Sequence, residues 1–254
     1  MLRAVILAAG KGKRMGNSDL PKVLHALKGK PILAYVLEAV ADSAVDAKPV
    51  VVVGHKAEKI RETFGDACEY VAQQELKGTG DAVRCARQAL EGTAKHVMVL
   101  VGDQPLMRGA TMRRIADMHL AAGATLTLGT VTVEDFDDWR MPFADFGRVE
   151  RDKTGAVKSI VEVKDATAQQ RAILEVNPSY FCFKAEWLWP TLETLTTGNA
   201  QGEYYLTDLV AKAIASGEKV MTVPVPPAEA VGVNTPEQLA LAEAALDAQT
   251  KTPA

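Results

Sequence analysis

The chain has few cysteines and histidines and no long hydrophobic run. Its 254 residues include three cysteines and four histidines. The cysteines are widely spaced without a Cys-x-x-Cys pair, and the histidines lack metal-ligand spacing, which argues against a disulfide framework and a zinc site. No apolar stretch approaches the roughly 20 residues that span a bilayer, and the N-terminus lacks a secretory signal. We therefore predict a cytoplasmic protein with no membrane partner.

The net charge and the length indicate which partners and how many domains to expect. The net charge of −3 gives no general reason to bind nucleic acid. A chain of 254 residues can form one large α/β domain with a sizeable core. We predict a single domain over residues 1–246 and a polar, frayed tail over residues 247–254.

Strand-like apolar runs alternate with segments of helical periodicity in the first half. Val50–Val53 and Val97–Val101 are typical of strands buried on both faces. This alternation predicts an α/β fold with a doubly wound, Rossmann-like, mostly parallel sheet. In the second half, strands are predicted at Thr125–Val133, Gly147–Arg151, Val157–Val163 and Leu174–Phe183, so antiparallel members are expected. Helices are predicted at Tyr205–Ala215 and Pro236–Leu246.

The segment after the first strand is rich in glycine and cations. It reads Leu7-Ala8-Ala9-Gly10-Lys11-Gly12-Lys13-Arg14-Met15. Glycines bring backbone N–H groups close to a ligand, and Arg14 offers a fork of donors, so the loop suits phosphate. Lys22, after Pro21, can add a second cation, although a lone lysine there is more often solvated. The spacing matches neither the P-loop nor the dinucleotide fingerprint.

Two further loops follow strands of the predicted sheet. Gln73–Ala82 offers a glutamine amide, which supplies a ligand with one donor and one acceptor, and exposed glycine backbone. Both suit a nucleobase, although an ordinary strand-to-helix turn explains the segment equally well. Asp103, at the tip of a strand, can hold Mg²⁺ against a triphosphate or serve as a turn aspartate. Because ligands bind beyond the carboxyl ends of parallel strands, Gly10, Gln73 and Asp103 are expected on one rim.

A helix start lies near the C-terminus. Thr235, Pro236 and Gln238 are predicted to form a capping box. Asn234 lies just outside it, and its amide is predicted to be free to reach a ligand.

Taken in order, these motifs resemble the sugar-1-phosphate nucleotidyltransferases, and most closely the uridylyltransferase domain of the bifunctional bacterial enzymes that make UDP-N-acetylglucosamine. The resemblance covers roughly residues 3–245, and the ordered set of motifs is specific. It implies Mg²⁺-dependent transfer of UMP from UTP to N-acetyl-α-D-glucosamine 1-phosphate, with release of pyrophosphate. It also implies a Rossmann-like fold with an added sugar-binding lobe.

The resemblance assigns roles by matching position. Catalytic roles fall on Arg14, Lys22 and Asp103, the first two as phosphate contacts. The nucleotide contacts are Leu7, Ala8, Ala9, Gly10, Lys22, Gln73, Gly78, Thr79 and Gly102, of which Gln73, Gly78 and Thr79 would read uracil. Asp103 and Asn234 would hold Mg²⁺, and Gly147, Glu162 and Asn177 would bind the N-acetylglucosamine group.

Some positions depart from the family pattern. Val101 stands where tyrosine is common, Asp145-Phe146-Gly147 replaces Gly-Tyr-Gly, and Pro178-Ser179 replaces Thr-Gly. Two alternatives therefore stay open: a nucleotidyltransferase for another sugar 1-phosphate or pyrimidine nucleotide, and a non-catalytic nucleotide-sugar sensor. The presence of the predicted phosphate cations and metal ligands favours an enzyme.

Few residues follow the last predicted helix. The left-handed β-helix of hexapeptide repeats that carries acetyl transfer in the bifunctional enzymes needs many stacked coils. We therefore expect no acetyltransferase activity and no β-helix trimer, and we expect a monomer or weak oligomer.

Overall fold

The computed structural model describes residues 1–16 and 19–251. The strands are β1 Leu2–Ala8, β2 Ala26–Leu27, β3 Lys30–Pro31, β4 Val50–Val53, β5 Glu69–Ala72, β6 His96–Val101, β7 Leu126–Thr132, β8 Gly147–Arg151, β9 Val157–Val161, β10 Glu175–Asn177, β11 Phe181–Lys184 and β12 Val220–Pro224. The α-helices are α1 Ile32–Ser43, α2 Ala57–Phe64, α3 Thr79–Cys85, α4 Arg87–Leu90, α5 Gly109–Ala122, α6 Ala168–Arg171, α7 Ala185–Leu192, α8 Asp208–Ala215 and α9 Pro236–Lys251. Within the described ranges, no helix is both long enough and apolar enough to cross a membrane.

One large mixed sheet organises the fold. Its strand order is β5-β4-β1-β6-β11-β7-β10-β8-β9, with β12 pairing in parallel on β7. Strands β5, β4, β1 and β6 are mutually parallel. Strand β11 is antiparallel to both β6 and β7. β10, β8 and β9 extend the sheet with antiparallel pairs. The predicted α/β class with a mostly parallel core is confirmed.

Apolar side chains cover both faces of the parallel strands. Ile6 belongs to a cluster with Leu33 of α1 and Met112 of α5, whereas Val5 belongs to a second cluster with Val83 of α3 and Leu188 of α7. Successive strand residues point to opposite faces, so helices on both sides are needed to bury them. These helices leave the ends of the strands uncovered.

The predicted strand Leu174–Phe183 is interrupted in the structure. β10 ends at Asn177 and β11 begins at Phe181. Pro178 has no N–H to donate to a ladder, and Ser179 has φ of +66°, in the left-handed region. The prediction of one continuous strand over these residues was therefore wrong.

Two helix boundaries also differ from the prediction. The helix predicted from Tyr205 begins at Asp208, because the preceding backbone pairs elsewhere: Tyr204 accepts a hydrogen bond from Gly80 N. The last helix continues past Leu246 to Lys251. Residues 252–254 of the predicted tail lie outside the described residues.

The direction of β11 brings distant loops to one rim. β1 and β6 end at Ala8 and Val101 on the carboxyl edge of the parallel strands. Because β11 runs antiparallel, it starts at that edge, with Phe181 opposite Val99. The turn between β10 and β11 therefore lies beside the loops that follow β1 and β6.

A buried histidine is expected to make the fold less stable in acid. His119 is fully buried, with Nε2 3.0 Å from His96 Nδ1 and Nδ1 3.1 Å from Thr127 Oγ1. Burial, and then the charges of His96 and Lys184, lower the pKa of His119 to about 4. The unfolded chain, with a histidine pKa of about 6.5, binds the proton more readily. The stability that neutral His119 contributes above about pH 6.5 is therefore lost as the pH falls from there towards about 4, its pKa in the folded protein.

We expect His119 to account for roughly 2 kcal/mol of lost unfolding free energy between about pH 7.5 and 5. Urea unfolding of wild type and His119→Gln at both pH values measures this difference. The exposed His55 provides the control: His55→Gln should keep the wild-type pH dependence. Equal pH dependence in wild type and His119→Gln would contradict the assignment.

Candidate active site

A cavity of about 290 Å³ opens at the carboxyl edge of the parallel strands, and we call it the rim cavity. Its lining includes Leu7, Ala8, Ala9, Gly10, Lys22, Gln73, Gly78, Thr79, Val101 and Asp103. The structure therefore brings Gly10, Gln73 and Asp103 together, as the parallel topology predicts. Gly102 does not line the cavity; its N–H donates to Leu7 O at 2.9 Å and joins β6 to β1.

Gly78 shapes one side of the rim cavity. Its φ is +104°, and a Cβ there would lie 2.6 Å from Tyr204 O. The next residue, Thr79, accepts a hydrogen bond from Leu206 N at 3.1 Å on Oγ1. This loop therefore packs backbone to backbone against residues 204–206, and only glycine fits at position 78 without strain.

Gln73 is buried and already uses its amide donors. Nε2 donates to Gly78 O at 3.1 Å and to Asp81 Oδ2 at 2.9 Å. Both partners are acceptors, which fixes the orientation of the amide. Its Oε1 has no hydrogen-bond donor among residues 1–16 and 19–251. The expectation that the amide offers a ligand both a donor and an acceptor was therefore wrong, since the acceptor alone remains.

Lys22 lies between the two residues predicted to hold a metal. Its Nζ donates to Asn234 Oδ1 at 2.7 Å and to the Asp103 carboxylate. Val233 N donates to Asp103 O at 2.8 Å, which holds the two loops together. The amide of Asn234 is therefore not free, contrary to the sequence-based expectation.

The predicted capping box is formed in part. Gln238 N lies 3.3 Å from Thr235 Oγ1, as expected for the cap. The Gln238 side chain accepts instead from Asn234 N at 2.7 Å, one residue before the predicted donor. This bond fixes the backbone of Asn234 and helps to hold its side chain at the rim.

The oxygens around the Lys22 ammonium suit a hard cation. One carboxylate and one amide oxygen already share a positive group, and Mg²⁺ prefers such oxygen ligands. The described part of the chain has no cluster of three or more His, Cys, Asp or Glu side chains able to hold a metal. A cation held here would have two oxygen ligands from the protein, and Mg²⁺ commonly takes few protein ligands and keeps several waters.

Arg14 lies away from the rim cavity. It lines a cavity of about 560 Å³, which we call the outer cavity, together with Asp145 and Glu162. Its Nη1 is 3.8 Å from Asp145 Oδ2, and both side chains are largely exposed. Exposed pairs of this kind stabilise a protein by only about 0–1 kcal/mol. Arg14 can therefore leave Asp145 for a stronger anion.

The three predicted sugar-binding residues lie together. Asn177 pairs with Gly147 across β10 and β8. A Cβ at Gly147 would lie 3.5 Å from Glu162 Oε1 and 2.9 Å from Ile160 Cγ2, so glycine is needed there. Thr207 Oγ1 donates to Glu162 Oε1 at 2.8 Å, while burial raises the pKa of the Glu162 carboxyl.

A third cavity, of about 150 Å³, joins these regions, and we call it the connecting cavity. It shares Leu7, Thr79 and Glu203 with the rim cavity and Glu162 with the outer cavity. Sequence reasoning missed Ser179 and Glu203 as site residues. The Pro178-Ser179 departure from the family pattern was the available signal for the first, and the polar segment of residues 202–208 was the signal for the second.

The chain resembles known nucleotide transferases over most of its length. Residues 4–211 match the model of the MobA-like NTP transferase domain. The bifunctional protein GlmU of Heliobacterium modesticaldum is 44% identical over 244 residues, which are 96% of this chain and 51% of that protein. GlmU of Geobacter metallireducens is 45% identical over 242 residues, covering 94% of this chain and 49% of that protein.

A third relative agrees: GlmU of Streptococcus pyogenes serotype M12 is 42% identical over 241 residues, which are 94% of this chain and 56% of that protein. The chain spans about half the length of the curated relatives it matches. The family match includes every residue that lines the rim cavity. The chain therefore belongs to the MobA-like NTP transferase family.

Proposed function

We propose that the protein transfers UMP from UTP to N-acetyl-α-D-glucosamine 1-phosphate, in a Mg²⁺-dependent reaction that releases pyrophosphate. One observation carries the proposal. The rim cavity holds both the free Gln73 acceptor and the oxygen of Asp103 beside Lys22, and it adjoins the connecting cavity that contains Glu162. A nucleotide, a cation and a sugar phosphate can therefore occupy neighbouring positions.

We infer that Gln73 Oε1 faces position 3 of the base, where an acceptor favours uracil over cytosine. The N3 atom of uracil carries a hydrogen and donates, whereas N3 of cytosine is an acceptor. Because both Gln73 amide hydrogens already bind Gly78 O and Asp81 Oδ2, only Oε1 can meet the base. An acceptor at that point pairs with uracil N3–H and repels cytosine N3.

The reaction requires positioning and charge neutralisation rather than a general base. An oxygen of the sugar phosphate, already an anion, attacks the α-phosphorus of UTP; the new P–O bond forms as the bond to the β-phosphate oxygen breaks. Asp103 and Asn234 would hold Mg²⁺, which would supply charge neutralisation at the phosphates when bound. Lys22 and Arg14 would then turn to phosphate oxygens and stabilise the charge that develops on the leaving pyrophosphate.

Pyrophosphate release over a panel of nucleoside triphosphates and sugar 1-phosphates, with and without Mg²⁺, tests the proposal. UTP with N-acetylglucosamine 1-phosphate should give the largest kcat/KM, and chelation of Mg²⁺ should abolish turnover. A higher kcat/KM with another sugar 1-phosphate or with CTP would support the alternative substrates instead. Binding of UTP without turnover of any pair would favour the nucleotide-sugar sensor.

Gln73→Ala should weaken UTP binding and reduce the preference for UTP over CTP by about 1–3 kcal/mol, or roughly 5- to 150-fold. The substitution removes the acceptor and leaves Gly78 O and the Asp81 carboxylate without their amide donor. The ratio of kcat/KM for UTP and CTP measures the change. Gln74→Ala, at the exposed neighbouring position, is the matched control and should keep the wild-type ratio. If base preference survived in Gln73→Ala, recognition would belong to the backbone around Gly78.

A further inference from the structure

Ser179 has an unfavourable backbone conformation beside the connecting cavity. Its φ of +66° lies in the left-handed region, which is unfavourable for a residue with a side chain. It occupies the interruption between β10 and β11 and lines the same cavity as Glu162 and Thr207. Strain of this kind persists only where the surroundings fix it, and it is concentrated at functional sites.

Neighbouring bonds hold the turn on both sides of Ser179. Asn177 Oδ1 accepts from Ser179 N at 3.1 Å, and Gln104 Nε2 donates to Pro178 O at 3.2 Å. After the turn, Gly129 N donates to Tyr180 O at 2.8 Å. The backbone of Ser179 is therefore fixed by three different segments, and its side chain is held at the cavity wall.

The hydroxyl of Ser179 differs from the other hydroxyls of the cavity. Thr207 donates to Glu162, Tyr205 donates to Asp165 at 3.1 Å, and Thr79 accepts from Leu206 N. Ser179 Oγ has no hydrogen-bond partner in the described part of the chain. The second carboxylate oxygen of Glu162, Oε2, likewise has no donor among the described residues.

We propose that Ser179 is a specificity-determining residue for the acceptor sugar. Its Oγ–H and the free oxygen of Glu162 together bind one ring hydroxyl of a hexose 1-phosphate. The sugar hydroxyl donates to the carboxylate and accepts from the serine, so each group gains one partner. This inference rests on the proposed function and adds a contact that glycine, the family residue at this position, cannot make.

Two substitutions separate the hydroxyl from the strained backbone. Ser179→Ala removes Oγ and keeps Cβ, whereas Ser179→Gly removes both and relieves the unfavourable φ. Ala44, which ends α1 with φ of +52° and is exposed, provides the control for strain alone. Because both relieve an unfavourable φ, Ser179→Gly and Ala44→Gly should each raise Tm by about 1–3 °C.

Only the variants at position 179 should change sugar recognition. Both Ser179→Ala and Ser179→Gly should raise KM for the sugar 1-phosphate about fivefold, with KM for UTP and kcat near wild type. In wild type, one monodeoxy sugar 1-phosphate should bind more than fivefold more weakly than the parent, and in both variants this ratio should fall about fivefold, because only the Glu162 contact is left. Ala44→Gly should keep wild-type kinetics.

An unchanged sugar KM in Ser179→Ala would overturn the inference, as would a change confined to Ser179→Gly, because the hydroxyl would then have no role. Calorimetric titration of the sugar 1-phosphates in the presence of UMP gives the same comparison as Kd, without turnover. If the wild-type protein shows no turnover but its Kd for the sugar 1-phosphate differs from that of Ser179→Ala, the proposed function is rejected and the Ser179 contact is kept. If turnover is normal and the two proteins have the same Kd, the contact alone is rejected.

Discussion

Asp103→Asn should lower kcat for UMP transfer about a thousandfold, equivalent to about 4 kcal/mol of barrier. The substitution keeps the size of the side chain and removes its charge. Asp103 is the carboxylate that binds the Lys22 ammonium at the rim, and in the proposed function it would hold a cation against the phosphates. The expected loss reflects reduced charge neutralisation as the transition state forms.

Pyrophosphate release at saturating substrates and Mg²⁺ measures this effect, and circular dichroism with a Tm checks the fold. The backbone bond from Val233 N to Asp103 O does not depend on the side chain, so the loops should stay in place. Asp117→Asn on the exposed side of α5 is the matched control and should retain wild-type kcat. A folded Asp103→Asn protein with near-normal turnover would remove Asp103 from the catalytic site.

Lys22→Met should have two opposite effects. Turnover should fall about a hundredfold, because one cation directed at the phosphates is lost. Binding of Mg²⁺ to the protein without nucleotide should become tighter, because the ammonium no longer competes for Asp103 and Asn234. A lysine with a purely structural role would give weaker or unchanged Mg²⁺ binding, since its loss would loosen the two loops.

Calorimetric titration with MgCl₂ measures the second effect, and steady-state kinetics measure the first. Lys95→Met, at an exposed position beyond the amino end of β6, is the matched control. Lys95→Met should change neither the turnover nor the affinity for Mg²⁺. Weaker Mg²⁺ binding in Lys22→Met would show that the ammonium supports the metal site rather than occupying it.

The sequence predicts the position of the rim loops better than their hydrogen bonds. Strand–helix alternation places Gly10, Gln73 and Asp103 at one edge, since the carboxyl ends of parallel strands coincide. The same pattern cannot show that Gln73 uses both donors internally. That outcome depends on Gly78 and Asp81, whose acceptors are positioned only when α3 packs against β1 and β4.

The interrupted strand was missed for a different reason. Residues 174–183 carry enough apolar character to predict one strand, and the pattern gives little weight to a single Pro-Ser pair. The turn is held by one local bond, from Ser179 N to Asn177 Oδ1, and by one long-range bond, from Gln104 Nε2 to Pro178 O. The second bond joins residues 74 positions apart, so local propensity cannot predict it.

The bond from Lys22 to Asn234 has a consequence for how the protein is made. The two residues are 212 positions apart, so Lys22 is translated well before Asn234. At about 5–20 residues per second, roughly 10–40 s separate the appearance of Lys22 and Asn234 at the ribosome. During that interval the parallel strands can already pair, while Asp103 and Lys22 lack their third partner. A nascent chain can therefore form much of its parallel sheet before the bond between Lys22 and Asn234 can form.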